Sequence, residues 1–355
     1  MQAGSTLLCV VTIAAALSFW GCGDAASSIM HGSDAGAIDA SVIDASVSDA
    51  ALSHQPPAYV PPEVTPPGED DDTPFYLSQT GLYTDIAEHE LAPDLLAFEP
   101  RYALWSDGAE KQRWLRLPAG TQIDTRDADH WSFPVGAMLF KEFSLAGKRI
   151  ETRLIMRIGE GPRDYFMGAF LWNEDESDAR FVRDGMENVR GTAHDVPRVK
   201  NCFTCHDGEP GRVLGFSAVQ QREVAAELLT RPPARAFVVP GDAVAQNALG
   251  YLHANCGHCH NLNGTSWPDT DLDLRLILSD VRVEDTAAFR SSVGVELNAF
   301  QDGEVELRIA PGDTEHSGLH FRMSMRGPMK QMPPLATELV DDEGLALVRA
   351  WIDSL

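Results

Sequence analysis

The sequence predicts a multidomain chain. An N-terminal all-β region, sandwich or barrel-like, precedes a mainly α-helical region built around two paired-cysteine motifs. Three observations carry this. Short runs rich in aromatic and branched residues, bounded by Gly, Pro or Asp, follow one another from Phe75 to Met186. The pentapeptide Cys-x-x-Cys-His occurs twice, in Asn201–His206 (NCFTCH) and in Tyr251–His260 (YLHANCGHCH). A low-complexity stretch, Asp24–Pro74, precedes both. The expected boundaries are 1–22 for a leader, 23–74 for a tether, 75–190 for the β-rich domain, 191–240 for the first motif segment and 241–355 for the second motif domain.

Leu7–Trp20 is an apolar run of signal-peptide length, short for a membrane span. It ends at Gly21-Cys22-Gly23, a small residue before a cysteine, as in a bacterial lipobox. Cys22 is therefore expected to carry lipid and to become the mature N-terminus. Phe19 and Trp20 depart from the lipobox pattern and no Lys or Arg precedes the run, so plain secretion is the alternative. Asp24–Pro74 contains Ala-Ser-Asp near-repeats and then PPAYVPPEVTPPGEDDDTP, with few aromatics and no Lys or Arg. Such a segment cannot bury enough surface to fold. As a coil of about fifty residues it spans on the order of 40 Å, which suits a globule held off a membrane. Asp70, Asp71 and Asp72 read as a solvated charge run rather than a calcium site.

From Phe75 the pattern turns to strands. KQRWLRLP alternates polar residues with Trp114, Leu115 and Leu117, and WSFPVGAMLFKEFSL, KRIETRLIMRIG, RDYFMGAFLWN and DARFVRDG follow. Turn signals such as LAGK and GEGPRD separate them. Met156 and Met167 fall in strand patterns and read as core. Trp105, Ser106, Asp107, Gly108 and Lys111 form a polar cluster that could line a cleft or simply make a turn. No Ser-His-Asp, metal-triad or phosphate-loop pattern occurs here.

The chain of 355 residues carries a net charge of −25, which excludes nucleic acid as a natural partner and favours a partner with a basic docking surface. Of its six cysteines, Cys9 and Cys22 belong to the leader. The other four, Cys202, Cys205, Cys256 and Cys259, make up the two motifs. Two cysteines three apart lie on one side of a helical turn, so both thiols reach the vinyl groups of one porphyrin. The adjacent His206 or His260 then sets an imidazole nitrogen on the iron. Two covalently attached haem c groups are the expected cofactors. A four-cysteine zinc site is the competing reading. The histidine after each pair argues against it.

After the first motif, Ser217 and Gln220 resemble a capping box that opens a helix from Ser217 to about Leu229. Arg231-Pro232-Pro233 stops it. The second axial ligand of the first haem stays open among His194, His253, His258 and distant methionines. Asp242 can cap a helix from Ala243 to Asn255, with Val244, Ala248, Leu249 and Leu252 on one face, and this helix delivers Cys256. The loop NLNGTSWPDTDLDLRL should cover the porphyrin edge. Asp341, Asp342 and Glu343 open a last helix, with Leu345, Val348 and Ile352 on one side and Trp351 beside them. A first helix carrying Cys-x-x-Cys-His and a last helix crossing it is the frame of a class I cytochrome c. Met332, ahead of Pro333 and Pro334, falls where such a frame carries the sixth ligand, with Met323, Met325 and Met329 as alternatives. A thioether there stabilises Fe(II).

Several stretches together resemble a largely uncharacterised family of exported bacterial dihaem c-type cytochromes. They are TGLYTDI, YALWSDGAEKQRWLRLPAGTQID, WSFPVGAMLFKEF, NCFTCH followed by LGFS, YLHANCGHCHNLNGT, APGDTEHSGLHFRMS and MPPL. They cover about Gly81 to the C-terminus. LGFS stands where the family more often has a Pro-Ile-Gly phrase. The resemblance implies covalent haem at both motifs, His206 and His260 as proximal ligands, Met332 as a distal one, and haem attachment outside the cytoplasm. It names no substrate. The expected function is electron transfer in the cell envelope, from a periplasmic or membrane-anchored lipoprotein to a redox partner protein. The alternative is a haem-dependent oxidoreductase whose β-domain binds substrate. A third is a haem-bearing lipoprotein with a binding or scaffolding role.

Overall fold

A computed structural model describes residues 59–355 apart from 222–223, 235, 268, 299–301 and 328–329. The leader, Cys22 and the first part of the tether lie outside the described residues. Among these residues no helix is long and apolar enough to cross a membrane.

The β-rich region is shown. Strands β1 (Tyr83–Asp85) and β2 (Glu90–Leu91) form a small hairpin. Six further strands make an antiparallel meander in which every strand pairs with its sequence neighbour: β3 (Leu96–Ala97), β4 (Glu110–Arg116), β5 (Met138–Leu145), β6 (Lys148–Arg157), β7 (Tyr165–Trp172) and β8 (Ala179–Val182). β3 lies at one end and β8 at the other, where only an isolated bridge from Tyr76 to Arg180 meets it, so the described six-stranded sheet is open, neither a barrel nor two comparable layers. The expected sandwich or barrel is corrected in this respect. The β5–β6 turn falls where LAGK marked it. Ala146 (φ 48°) and Gly147 (φ 76°) both take the left-handed conformation that a tight hairpin demands.

Side-chain alternation gives the sheet two buried faces. On one, Trp114, Phe140, Leu154 and Phe170 pack with Phe75, Leu77 and Leu82. On the other, Leu115, Leu139, Ile155 and Met167 meet Trp131, Phe133, Val213 and Phe216, with Cys202 and Phe203 against them. Helical segments and loops therefore supply the second layer. The end of the tether does so on the first face. Val64 packs on that core, and the Tyr59 hydroxyl donates to the Gly81 carbonyl at 3.5 Å. The segment read as unfolded thus touches the β-region at Tyr59 and Val64, while most of its other described residues are exposed.

Five α-helices follow: α1 (Val199–His206), α2 (Ala243–Asn255), α3 (Ala287–Ser292), α4 (Gly318–Ser324) and α5 (Asp342–Ser354). α2 and α5 begin where their capping residues require. Asp242 accepts from the Ala245 N–H at 3.0 Å and Asp341 from the Gly344 N–H at 2.9 Å. Their facing residues, Ala248, Leu249 and Leu252 against Val348, Trp351 and Ile352, form one core. Fully burying each of the larger ones contributes about 1.5–3 kcal/mol. Among the described residues, which leave out 222 and 223, no helix opens from Ser217 as expected. Ser217 Oγ does accept from the Gln220 N–H at 3.3 Å, but the Gln220 side chain accepts from the Tyr102 N–H at 3.0 Å, and only a short 3-10 turn at Ala226–Leu228 follows. A tertiary bond thus takes the side chain that a capping box needs.

Candidate functional site

The two motifs reach one place by different routes. The first lies inside α1. The second sits in the turn that leaves α2, where the His260 N–H bonds the Cys256 carbonyl at 2.9 Å. The two motif segments are bonded to one another. The Thr204 carbonyl accepts from Thr265 Oγ1 at 3.0 Å and from Cys259 Sγ at 3.7 Å. A Cβ added to Gly208 would lie 1.9 Å from the His258 carbonyl oxygen, so only glycine allows this approach. Arg275, beyond the second motif, donates to the Gly208 carbonyl at 3.1 Å and pairs with Glu209, which also bonds His130 Nδ1 at 3.0 Å. Glu209 is 2% exposed, so these partners stabilise a charge that would be costly alone.

Both motifs open onto a cavity of about 490 Å³. Cys202, Cys205, Cys256, Cys259, His206 and His260 all line it. The four thiols are free and half-buried. Met332 and Met323 are on the same lining. The Met332 N–H bonds the Arg322 carbonyl at 3.0 Å, which ties its loop to α4. Ser266, Thr270 and Leu272 place the expected covering loop on the cavity as well. Met167 also reaches it, from a core position on the sheet.

Hydrogen bonds fix the tautomers of the motif histidines. His206 Nδ1 lies 2.7 Å from the Arg212 carbonyl, which can only accept, so Nδ1 carries the proton. His260 Nδ1 lies 3.2 Å from Ser266 Oγ. That hydroxyl spends its one proton on the Cys259 carbonyl at 2.6 Å and accepts from the ring. Both imidazoles therefore keep an Nε2 lone pair, as a metal-ligating histidine with an oriented ring requires. Burial favours the neutral rings. It pushes the pKa of His260 down to about 4 and lowers that of His206.

The same logic sorts the histidines that the sequence left open as ligands at the first motif. His194, 2% exposed, gives its Nε2 to Glu151 at 2.8 Å. His253 accepts the Leu276 N–H at Nδ1, 3.1 Å, which places its proton on Nε2. Neither offers a free Nε2 lone pair. His258 bonds the Ala254 carbonyl through Nδ1 at 3.3 Å and does offer one.

Cys205, His258 and Cys259 form a cluster whose ligand atoms lie within 4.8 Å of one another, contributed by both motifs. A hydrogen bond from Cys259 lowers the pKa of Cys205 and raises that of Cys259 itself. Desolvation raises Cys202 to about 11 and Cys256 to about 12. Cys205 is thus the one thiol of the four whose pKa is lowered.

Sequence reasoning missed the residues that align the motifs. Asn255, just before Cys256, accepts the Trp105 N–H at 2.7 Å and donates to the Ala103 carbonyl at 3.2 Å, docking the β-region on α2. An asparagine precedes the first cysteine of both motifs, a repeat that could have flagged it. Asp107 accepts from the N–H groups of Glu338 (3.0 Å) and Leu339 (2.8 Å), just beyond the Met332 loop. The polar cluster around Trp105 is therefore a strut as well as cavity lining. Comparison of the chain with protein families, with curated proteins and with solved structures finds no match.

Proposed function

We propose that the protein is a dihaem c-type cytochrome that carries electrons in the bacterial cell envelope. The observation that supports this most is the pair of Cys-x-x-Cys-His motifs facing one cavity, each with its histidine held as the Nδ1–H tautomer. A covalently held haem supplies an iron that exchanges one electron between Fe(III) and Fe(II). Cys202 and Cys205 would anchor one such group, and Cys256 and Cys259 the other. Arg212 and Ser266 orient the imidazoles of His206 and His260. Met332, as the sixth ligand at the second motif, would favour the reduced state. The apolar walls from the sheet and from the α2–α5 core exclude water, which also favours the less charged centre. The Thr265 hydroxyl on the Thr204 carbonyl and the close approach at Gly208 hold the two anchor points side by side.

The alternative of a haem-dependent oxidoreductase needs an open iron and a substrate cleft in the β-region. A second reading with a specific observation behind it is a metal site at Cys205, His258 and Cys259. Its three ligands match the donor types of zinc. Absorption spectra of protein matured in a host that attaches haem c separate these readings. Two six-coordinate low-spin haems, unreactive to peroxide, fit the carrier. A high-spin haem that reacts with peroxide fits the enzyme, and a colourless protein containing zinc fits the metal site.

A further inference from the structure

Three basic side chains stand in one row across the sheet, and burial together with the neighbouring guanidinium groups pushes the pKa of Lys141 well down. Arg113 on β4 is paired with Lys141 on β5, and Lys141 with Arg153 on β6, so their side chains project from the same face at neighbouring positions. All three line the cavity that receives the two motifs. Lys141 and Arg153 also share the Phe143 ring, at 4.7 and 4.5 Å from its centroid. Like charges directly opposite one another on a sheet repel, and burial strengthens the repulsion. The carboxylates nearby do not balance the row. Glu151 bonds Arg153 at 3.0 Å, but it also serves His194. Glu99 is within electrostatic range of Arg113. No carboxylate of the described residues lies within ion-pair distance of Lys141. This happens inside a chain with 53 acidic and 28 basic residues. A second feature of the same cavity points to a missing acceptor: Trp105 Nε1 is a buried donor with no partner.

We propose that Arg113, Lys141 and Arg153 form a carboxylate-binding row that receives the propionate side chains of the porphyrin anchored at Cys202 and Cys205. This rests on the dihaem reading above. Placement favours the first motif. Cys202 packs against the core cluster that contains Leu139, Ile155 and Met167 of the same sheet face, and Arg153 lies within electrostatic range of both Cys202 and Cys205. The porphyrin brings two carboxylates; Arg113 offers a forked guanidinium suited to bidentate pairing and Lys141 an ammonium, while Arg153, whose Nε and Nη2 already pair with Glu151, adds its positive charge behind them. The row then acts as a positioning device and holds positive charge beside the iron, which favours the reduced state.

The test uses the mature holoprotein. Redox titrations of Lys141→Met and, separately, of Arg113→Gln are compared with the parent, and haem content is counted in each. Arg113→Gln lies at the end of the row and keeps the measurement possible should Lys141→Met fold poorly. The expected result is two haems per chain throughout. The reduction equilibrium of one haem alone shifts roughly tenfold toward the oxidised form, about 59 mV for one electron. Lys141→Arg, which keeps the charge, should leave that potential near the parent value. Unchanged potentials with full haem content overturn the proposal. So does a parent holoprotein whose spectrum responds to inorganic phosphate in a manner that Lys141→Met abolishes, since the row would then serve a free anion. A colourless parent protein removes the dihaem reading itself, and the proposal with it.

Discussion

Gly208→Ala tests how tightly the two motifs depend on each other. The added Cβ would lie 1.9 Å from the His258 carbonyl oxygen and 3.1 Å from its carbon. Non-bonded approaches of this kind stay near 3 Å, so the segments must part by about 1.1 Å. The obstacle is backbone, and that carbonyl already accepts from Asn261 Nδ2 at 3.2 Å, so no rotamer change relieves it. Overpacking costs about 1–3 kcal/mol, and a rigid obstacle puts this site at the upper end. In a chain of this size, about 2 °C of Tm per kcal/mol gives a fall of roughly 6 °C. The assay is thermal unfolding of the holoprotein followed by circular dichroism, together with haem count and the separation of the two midpoint potentials. Haem content should hold, and the potentials should move as the anchor points separate. Gly68→Ala is the control, because its nearest atom is Asp71 Cβ at 4.0 Å and it should change nothing. If Gly208→Ala unfolds within 1 °C of the parent with both potentials unchanged, the motifs are not braced against each other and the contact reasoning fails.

Other expectations follow from the same contacts. Met332→Leu should change the ligation spectrum of one haem only, about half the haem signal, and lower its potential; two altered haems or none would refute the ligand assignment. Asp107→Ala removes two charge-assisted bonds to the Glu338 and Leu339 N–H groups, each worth about 1.5–3 kcal/mol, and should lower Tm by several degrees while perturbing the Met332 haem before the other. Desolvation would raise the pKa of Glu151, but Arg153 and His194 outweigh it and hold the group below its ordinary 4.5. Its stabilising contribution is therefore present above about pH 4.5 and is lost as pH falls through the lower folded value. Denaturation curves of Glu151→Gln should show a loss of about 3–5 kcal/mol at pH 7 and a weaker acid dependence than the parent. An unchanged acid limb would show that Glu151 does not govern it.

Much of this arrangement was legible in the residues, for reasons that differ by element. α2 was readable to the residue and the start of α5 nearly so, because Asp242 and Asp341 sit at their starts and their apolar faces repeat at helical spacing. The strands were readable one by one through alternation, as in β5, where Met138, Phe140 and Glu142 turn one way and Leu139, Lys141 and Phe143 the other. Their closure was not readable. Whether six strands close or stay open depends on what covers each face, and here distant segments do so: the end of the tether at Val64, and Val213 and Phe216 beyond α1. The helix expected from Ser217 failed because Gln220 serves Tyr102, 118 positions away, and no local rule sees that partner.

The candidate site divides in the same way. The motif residues announce themselves by spacing. Their supports follow no motif rule: the Arg212 carbonyl and Ser266 each lie six residues beyond the histidine they hold, whereas Gly208 against His258, and Asp107 behind the Met332 loop, come from distant parts of the chain. The cation row is invisible in sequence for a different reason. Arg113, Lys141 and Arg153 each read as an ordinary outward-facing residue of an alternating strand, and only strand register sets them side by side.

The most direct measurement is haem and zinc per chain in protein purified from a host that matures cytochromes c, by the pyridine haemochrome spectrum and by elemental analysis. The account predicts two thioether-linked haems per chain and no zinc. A colourless chain that holds zinc at Cys205, His258 and Cys259 would contradict it.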